Sequence, residues 1–121
     1  MDIEFLRDYC LSKPAAEETL PFGPDILVYK VGGKIFLICS LNSETFRFSV
    51  KCDPEKVIEL RERYDCVQPG YHLNKKHWNT IYVDGTVSNS LLQEWINDSY
   101  DLIVNSLPAK ARDLVKGKNK K

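Results

Sequence analysis

The densest group of chemically active side chains lies in residues 69–80, Pro-Gly-Tyr-His-Leu-Asn-Lys-Lys-His-Trp-Asn-Thr. This segment holds two histidines, two lysines, two asparagines and two aromatic residues, and it opens with the turn-forming pair Pro69-Gly70. Irregular segments that carry such side chains often bind ligands. A structural role is an equally good interpretation, in which the rings fill a corner of the fold while His72 and Asn74 satisfy backbone groups.

The same histidines allow two further hypotheses, a zinc site and an active site. Two cysteines and two histidines with the spacing C-x13-C-x5-H-x4-H could surround a tetrahedral zinc ion: Cys52, Cys66, His72 and His77. Structural zinc sites usually take their cysteines from close pairs, which this sequence lacks, so no metal is expected. His72 or His77 could act as a base with Cys66 as nucleophile, but nothing in their spacing requires it.

The overall charge excludes one large class of function. Lys plus Arg number 17 and Asp plus Glu number 17, so the net charge is +0 and the chain is not a strongly basic nucleic-acid binder. The charge is uneven, however. From Pro108 onward there are six cations and one anion, a net charge of +5, which leaves 11 cations and 16 anions, a net charge of −5, in residues 1–107.

These patterns predict one folded domain and a basic tail. Residues 1–112 form the expected domain, and residues 113–121 are expected to be disordered, serving as a solubilising terminus or as a weak anchor for polyanions. The acidic start Met1-Asp2-Ile3-Glu4 is unlike a signal peptide, and no apolar run could span a bilayer. We therefore expect a cytoplasmic protein without membrane contact. Its four cysteines include no C-x-x-C pair and are expected to be free thiols.

Hydrophobic periodicity and turn residues predict the order of helices and strands. Capping residues predict helices after Asp2, Asp53 and Ser88, the last of them ending at Pro108. Alternating segments predict strands at residues 26–31, 34–41, 44–51 and 78–83, with a further short strand possible before Trp78. The expected fold is α+β with two layers, an antiparallel sheet covered by helices on one face, in the order α-β(3)-α-β(1–2)-α.

Two-residue turns would fix the pairing of the first three strands. In that register Tyr29 faces Phe36, and Leu37 faces Phe48. Strict alternation then divides the side chains between two faces. The predicted core face carries Ile26, Val28, Ile35, Leu37, Cys39, Phe46, Phe48 and Val50. The predicted open face carries Leu27, Tyr29, Val31, Lys34, Phe36, Ile38, Thr45, Arg47, Ser49 and Lys51.

The predicted open face is a second candidate for function. Tyr29 and Phe36 could stack on nucleic-acid bases. Three cations on the same face could contact phosphates: Lys34, Arg47 and Lys51. The apolar part of the face, with Tyr29, Phe36 and Ile38, could equally contact a protein partner or a second copy of the chain.

The chain resembles a known family, the MmcQ/YjbR-like family of small bacterial proteins. The matching stretches run in order through residues 1–112: Pro21-Phe22-Gly23-Pro24-Asp25, Val31-Gly32-Gly33-Lys34-Ile35-Phe36, Ser49-Val50-Lys51-Cys52-Asp53-Pro54, the segment 69–81, Ser99-Tyr100-Asp101-Leu102 and Leu107-Pro108. The resemblance implies a fold like that of type III secretion chaperones and CyaY-like domains. It also implies a DNA-binding role and brings no catalytic residues.

Together these observations predict a binding module with DNA as its partner, without catalytic residues or a cofactor. The predicted DNA-binding residues are Lys34, Arg47, Lys51, His72, Asn74, Lys75, Lys76 and His77. The first alternative is a protein-interaction module or homodimer that uses Tyr29, Phe36 and Ile38. An enzyme that uses His72 or His77 is the second alternative.

Overall fold

A computed structural model describes residues 1–42, 44–70 and 73–118. Within these residues the chain forms four helices and one six-stranded sheet with the strand order β1-β2-β3-β4-β6-β5. Every neighbouring pair of strands is antiparallel. The helices are α1 (Ile3–Leu11), α2 (Pro54–Arg63), α3 (Asn89–Ser106) and α4 (Ala109–Lys118), and the strands are β1 (Glu17–Thr19), β2 (Ile26–Val31), β3 (Lys34–Ser40), β4 (Arg47–Lys51), β5 (Val67–Pro69) and β6 (Trp78–Tyr82). The predicted α+β class is confirmed, and so is the short strand before Trp78.

The first three helices begin where the sequence predicts. Asp2, Asp53 and Ser88 each accept a hydrogen bond from a backbone N–H of the first turn, which satisfies a donor that the helix leaves unpaired. Pro54 supports the start of α2, because its ring presets a helical φ and the missing N–H has no partner to lose. These caps set where each helix begins, and its apolar stripe then faces the sheet.

The core lies between the sheet and the helices, with α3 at its centre. The buried side chains of α3 are Leu92, Trp95, Ile96, Ser99, Tyr100, Ile103 and Val104. Ser99 is fully buried, donates to the carbonyl of Phe36 at 2.6 Å and accepts from the backbone N–H of Lys51 at 2.8 Å. One hydroxyl thus joins α3 to β3 and β4.

A β-bulge between β2 and β3 changes the predicted register. Lys30 pairs with Ile35 and Tyr29 pairs with Leu37, so Phe36 is an extra residue without a partner in the ladder. The prediction that Tyr29 faces Phe36 is therefore wrong. The two-residue turn is present, but strict alternation across it fails because the bulge shifts the pairing by one residue.

The bulge moves two candidate binding residues into the core. Tyr29 and Phe36 are both 0% exposed, and the Phe36 ring packs edge-on against Tyr100 of α3, with 5.3 Å between the ring centroids. The prediction that these rings form an exposed binding surface is wrong. Ile38 keeps its predicted place on the face away from the helices, where it pairs with Val28 and is half-buried.

The pairing of β3 with β4 differs from the prediction by two residues. Leu37 faces Val50 and Cys39 faces Phe48, because β3 ends at Ser40 and β4 begins only at Arg47, further apart than a two-residue turn allows. An even shift leaves each side chain on its predicted face. Phe48 is accordingly buried, at 1% exposure, while Arg47 is on the opposite face and half-buried.

Strand β1 lies in a segment for which the sequence pattern predicts neither a helix nor a strand. A charged cluster fastens it to α1, since Arg7 contacts both carboxylate oxygens of Glu18, at 3.0 and 3.1 Å. The hydroxyl of Tyr29 donates to the same carboxylate at 2.7 Å. The hydrogen bonds from Arg7 hold the pKa of Glu18 below its ordinary value. The three residues of β1 alone do not predict a strand, because its position depends on these contacts with other elements.

The C-terminal segment also differs from the prediction. Residues 113–118 belong to α4 and are not a disordered tail, because Val115 packs into the core at 6% exposure. The rest of the predicted tail, residues 119–121, lies outside the described residues. None of the helices in the described part of the chain is both long and apolar enough to cross a membrane.

Candidate nucleic-acid interface

The face of the sheet opposite the helices, called the open face below, carries a row of cations and aromatic rings. Strand alternation and register place these side chains together: Lys30, Ile38, Arg47, Ser49, Lys51, Trp78, Thr80 and Tyr82. Thr80 is buried, and the other seven are half-buried. At the β1 edge of the sheet, Glu17 pairs with Lys30 and adds an acidic side chain to the same face.

Two cation–aromatic pairs define the centre of the open face. Arg47 lies opposite Tyr82, with its Nη1 3.4 Å from the phenol oxygen and its guanidinium carbon 5.8 Å from the ring centroid. Lys51 lies opposite Trp78 at the other end of the same two strands. Between them, Ser49 and Thr80 share a hydrogen bond of 2.8 Å. Each pair therefore offers a positive charge and a ring on one surface.

The loop that leads into Trp78 continues the positive charge. Asn74 folds this loop, since its side chain accepts from the N–H of Lys76 at 2.9 Å and its carbonyl accepts from the N–H of Trp78 at 2.9 Å. Lys75 and Lys76 are exposed. The carbonyl of His77 accepts from the backbone N–H of Cys52 at 2.7 Å, which ties the loop to the end of β4.

Arg61 of α2 holds this loop from behind, and sequence reasoning missed it. Its Nε donates to Asn79 Oδ1 at 2.7 Å, and its Nη2 donates to the carbonyls of Lys75 and Trp78. Asn79 is buried at 1% exposure. The guanidinium of Arg61 therefore positions the loop. Its place in an amphipathic helix gave no signal of that role.

The predicted DNA-binding residues are only partly brought together. Arg47 and Lys51 share the open face, and Asn74, Lys75, Lys76 and His77 lie in the adjoining loop. His72 lies outside the described residues. Lys34 belongs elsewhere, because it pairs with the core residue Val31 and its Nζ lies 3.4 Å from the carbonyl of Ser106 at the end of α3.

The two rings of the open face, Trp78 and Tyr82, were not among the predicted site residues. The alternation of β6 was visible in the sequence, and it places Trp78, Thr80 and Tyr82 on one side. What the sequence could not show is that β6 pairs with β4, a contact between segments separated by α2 and β5.

The cysteines are free thiols among the described residues, as expected. Cys10, Cys39 and Cys66 are buried, and burial raises the pKa of the Cys10 and Cys39 thiols to about 12. In residues 1–42, 44–70 and 73–118, no three His, Cys, Asp or Glu side chains are grouped to hold a metal ion. Because His72 is outside this range, the absence of zinc stays a prediction.

A cleft of about 410 Å³ lies on the helix-covered side, between α2, α3 and the sheet. No motif in the sequence predicts this cleft. Its charged residues are mostly acidic and come from separate elements: Asp53, Glu59, Glu94, Asp98 and Asp101, with Lys51 and Lys56. Burial, together with the neighbouring Glu94, raises the pKa of Asp98 above its ordinary value. The protein is thus polarised, with a basic open face and an acidic cleft behind it.

The fold and the open face define a class of small α+β domains in which four helices cover one side of an antiparallel sheet. Comparison with known proteins places the chain within that class. The family model described as YjbR matches residues 11–102. The chain belongs to the YjbR family, which confirms the resemblance found in the sequence.

Individual relatives agree with this assignment. The uncharacterized protein YbdF of Escherichia coli O157:H7 is 39% identical over 104 residues, covering 86% of this chain and 85% of that protein. The uncharacterized protein YjbR of Escherichia coli K12 is 34% identical over 115 residues, covering 95% and 98%. The crystal structure of Deinococcus radiodurans DR2400, a DUF419 domain, superposes with a TM-score of 0.88 at 37% identity, covering 94% of this chain and 87% of that one.

Proposed function

We propose that this protein is a non-enzymatic DNA-binding module whose open face binds single-stranded DNA. The observation that carries the proposal is the pair of cross-strand neighbours Arg47–Tyr82 and Lys51–Trp78. Proteins that bind single strands combine aromatic platforms for bases with cations along the backbone path. At about 3.4 Å per strand residue, the two pairs lie roughly 13 Å apart, which leaves room for several bases between them.

The neutral total charge does not oppose this proposal, because the charges are separated in space. The open face carries Lys30, Arg47 and Lys51 against Glu17, and the adjoining loop adds two exposed lysines. Five of the 17 acids line the cleft on the other side of the sheet. Local potential governs the approach of a polyanion more than the sum over the chain does.

The direct test is a titration of a fluorescent oligonucleotide, as single strand and as duplex, at two salt concentrations. If three cations neutralise phosphates, log K should fall against log salt with a slope of about −2 for a single strand, at about −0.7 per phosphate. Arg47→Ala should weaken binding and reduce that slope. Lys34→Ala removes the same charge from the helix-covered side and is the matched control, with no change expected.

Two further variants separate stacking from charge. Tyr82→Phe keeps the ring and should retain binding, whereas Tyr82→Ala should weaken it by about 1–3 kcal/mol, the usual cost of losing one stacked base. Replacement of Lys75 and Lys76 by Ala tests whether the loop extends the contact. Absence of salt-dependent binding at low ionic strength, or equal losses in Arg47→Ala and Lys34→Ala, would refute the proposal. Tighter binding to duplex would contradict the stacking role.

A protein-interaction module or homodimer is the second candidate, and one observation favours it. Ile38 and Ile26 are half-buried on the open face, on β3, which pairs with β4, and on β2. Such apolar side chains suit contact with a protein surface. Sedimentation velocity of the protein and of Ile38→Lys distinguishes the two: a dimer that dissociates in the variant supports this alternative.

A further inference from the structure

The cleft behind the sheet has an apolar floor and a charged rim. Its floor consists of side chains from three strands and two helices: Val50, Leu60, Val67, Ile81, Trp95 and Leu102. The volume, about 410 Å³, falls in the range of small-molecule sites, roughly 300–1,000 Å³. An apolar base with a few charged groups at its edge is the usual form of such sites.

The rim carries five carboxylates and two lysines, so its net charge is −3 with all of them ionised. Among the described residues the single ion pair within 4.0 Å joins Arg7 and Glu18, on another part of the surface. The acids of the cleft are therefore not neutralised by close partners. Asp98 shows the consequence: burial and the repulsion from Glu94 raise its pKa, and Lys56 offsets only part of that effect.

We propose that this cleft binds a small organic cation with an apolar body, such as an arylalkyl ammonium ion. The apolar floor would take the hydrocarbon part, and the carboxylates of Asp98 and Glu94 would face the positive group. The charge complementarity decides the occupant, because an anion or a neutral molecule would leave the repulsion at the rim in place. The cleft lies on the side of the sheet opposite Arg47 and Tyr82. Lys51, which pairs with Trp78 on the open face, also lines the cleft, so DNA titration of a cleft variant is needed to show that the two contacts are separate.

Two residues of the cleft report its occupation directly. The chain has two tryptophans, so in a Trp78→Phe protein the fluorescence comes from Trp95 alone, on the cleft floor. Cys52 lines the same cleft and is half-buried, whereas the three other cysteines are buried. Its alkylation rate, followed by peptide mass spectrometry in the unsubstituted protein, gives a second readout that needs no substitution.

The experiment titrates phenethylammonium, with phenethyl alcohol as the neutral analogue and phenylacetate as the anionic one. We expect a saturable change in Trp95 fluorescence and protection of Cys52 with the cation, at least fivefold weaker effects with the alcohol, and none with the anion. Asp98→Asn should weaken the binding of the cation about fivefold, the scale of one partly exposed charge pair. Glu62→Gln, an exposed acid of α2 outside the cleft, is the matched control and should bind normally.

Equal affinity for the cation and the alcohol would overturn the proposal, and so would unchanged affinity in Asp98→Asn. Failure of all three probes to alter either readout would overturn it as well. Asp98 lies at the rim and is only partly desolvated there, so the Asn variant is expected to fold, and circular dichroism checks this. DNA titrations of Asp98→Asn should match the unsubstituted protein, which keeps this test separate from that of the open face.

Discussion

The buried hydroxyl of Ser99 offers a sharp test of how the helices are fixed to the sheet. Ser99→Ala removes one oxygen atom and adds none, so it causes no steric clash. The change removes the hydrogen bond to the Phe36 carbonyl and the one from the Lys51 N–H. Both partners belong to the sheet, and Lys51 belongs to the proposed DNA-binding face.

The cost follows from the surroundings of the two partners. Phe36 is 0% exposed, so its carbonyl cannot gain a water molecule in exchange, and a buried unsatisfied acceptor costs about 1–3 kcal/mol. Lys51 is half-buried, so its N–H can be partly hydrated and should contribute about 0.5–1.5 kcal/mol. We therefore expect Ser99→Ala to lower the free energy of unfolding by about 2–4 kcal/mol.

Urea denaturation followed by circular dichroism measures this loss, provided that the m-value is unchanged. Ser49→Ala is the matched control, because it removes the same group from a half-buried position on the open face, where one hydrogen bond, to the buried Thr80, is lost, and it should cost about 0.5–1.5 kcal/mol. A loss below about 1 kcal/mol in Ser99→Ala, or equal losses in the two variants, would show that this hydroxyl does not hold α3 against the sheet.

Two further predictions concern the core and pH. Phe48→Ala should cost about 3–5 kcal/mol because its ring is buried, whereas Arg47→Ala should cost less than about 1 kcal/mol; equal losses by urea denaturation would contradict the assignment of faces. The raised pKa of Asp98 means that its proton stabilises the folded state at low pH and that this contribution is lost as pH rises through the raised pKa. Asp98→Asn should therefore be more stable than the unsubstituted protein at pH 7, by no more than about 0.5 kcal/mol. In thermal melts this difference in stability should vanish near pH 3.5. A variant that is less stable at pH 7 would refute the cause given for the raised pKa.

Local signals in the sequence were enough to predict the α+β class. The caps at Asp2, Asp53 and Ser88 act over a few residues, and the structure has them where expected. Alternation placed the side chains of β4 on the correct faces but reversed those of β2, where Leu27 and Val31 lie in the core and Ile26 and Val28 lie on the opposite face. The bulge at Phe36 was not predictable in this way, since it depends on how β3 packs against α3. The helix of residues 109–118 was not predicted for a similar reason. The charge of this segment suggested disorder, whereas Val115 is buried in a core built from residues far away in the chain.

The candidate site was predictable to a smaller extent. Arg47 and Lys51 were placed on the correct face because an even register shift preserves alternation. The prediction that Tyr29 and Phe36 lie beside them was wrong. The rings that do lie there, Trp78 and Tyr82, come from a strand more than 25 residues further along the chain. The acidic cleft was beyond prediction, because its charges converge from separate elements and share no motif.

The order of the strands has a consequence for how molecules of this protein behave when crowded together. Both outer strands, β1 and β5, are three residues long, and β5 ends at Pro69, which has no N–H to offer a neighbour. Long unpaired edges are templates on which other chains add strands, and short or proline-bearing edges suppress that growth. The sheet is therefore closed to fibre-like polymerisation, although one of its broad surfaces is exposed to solvent.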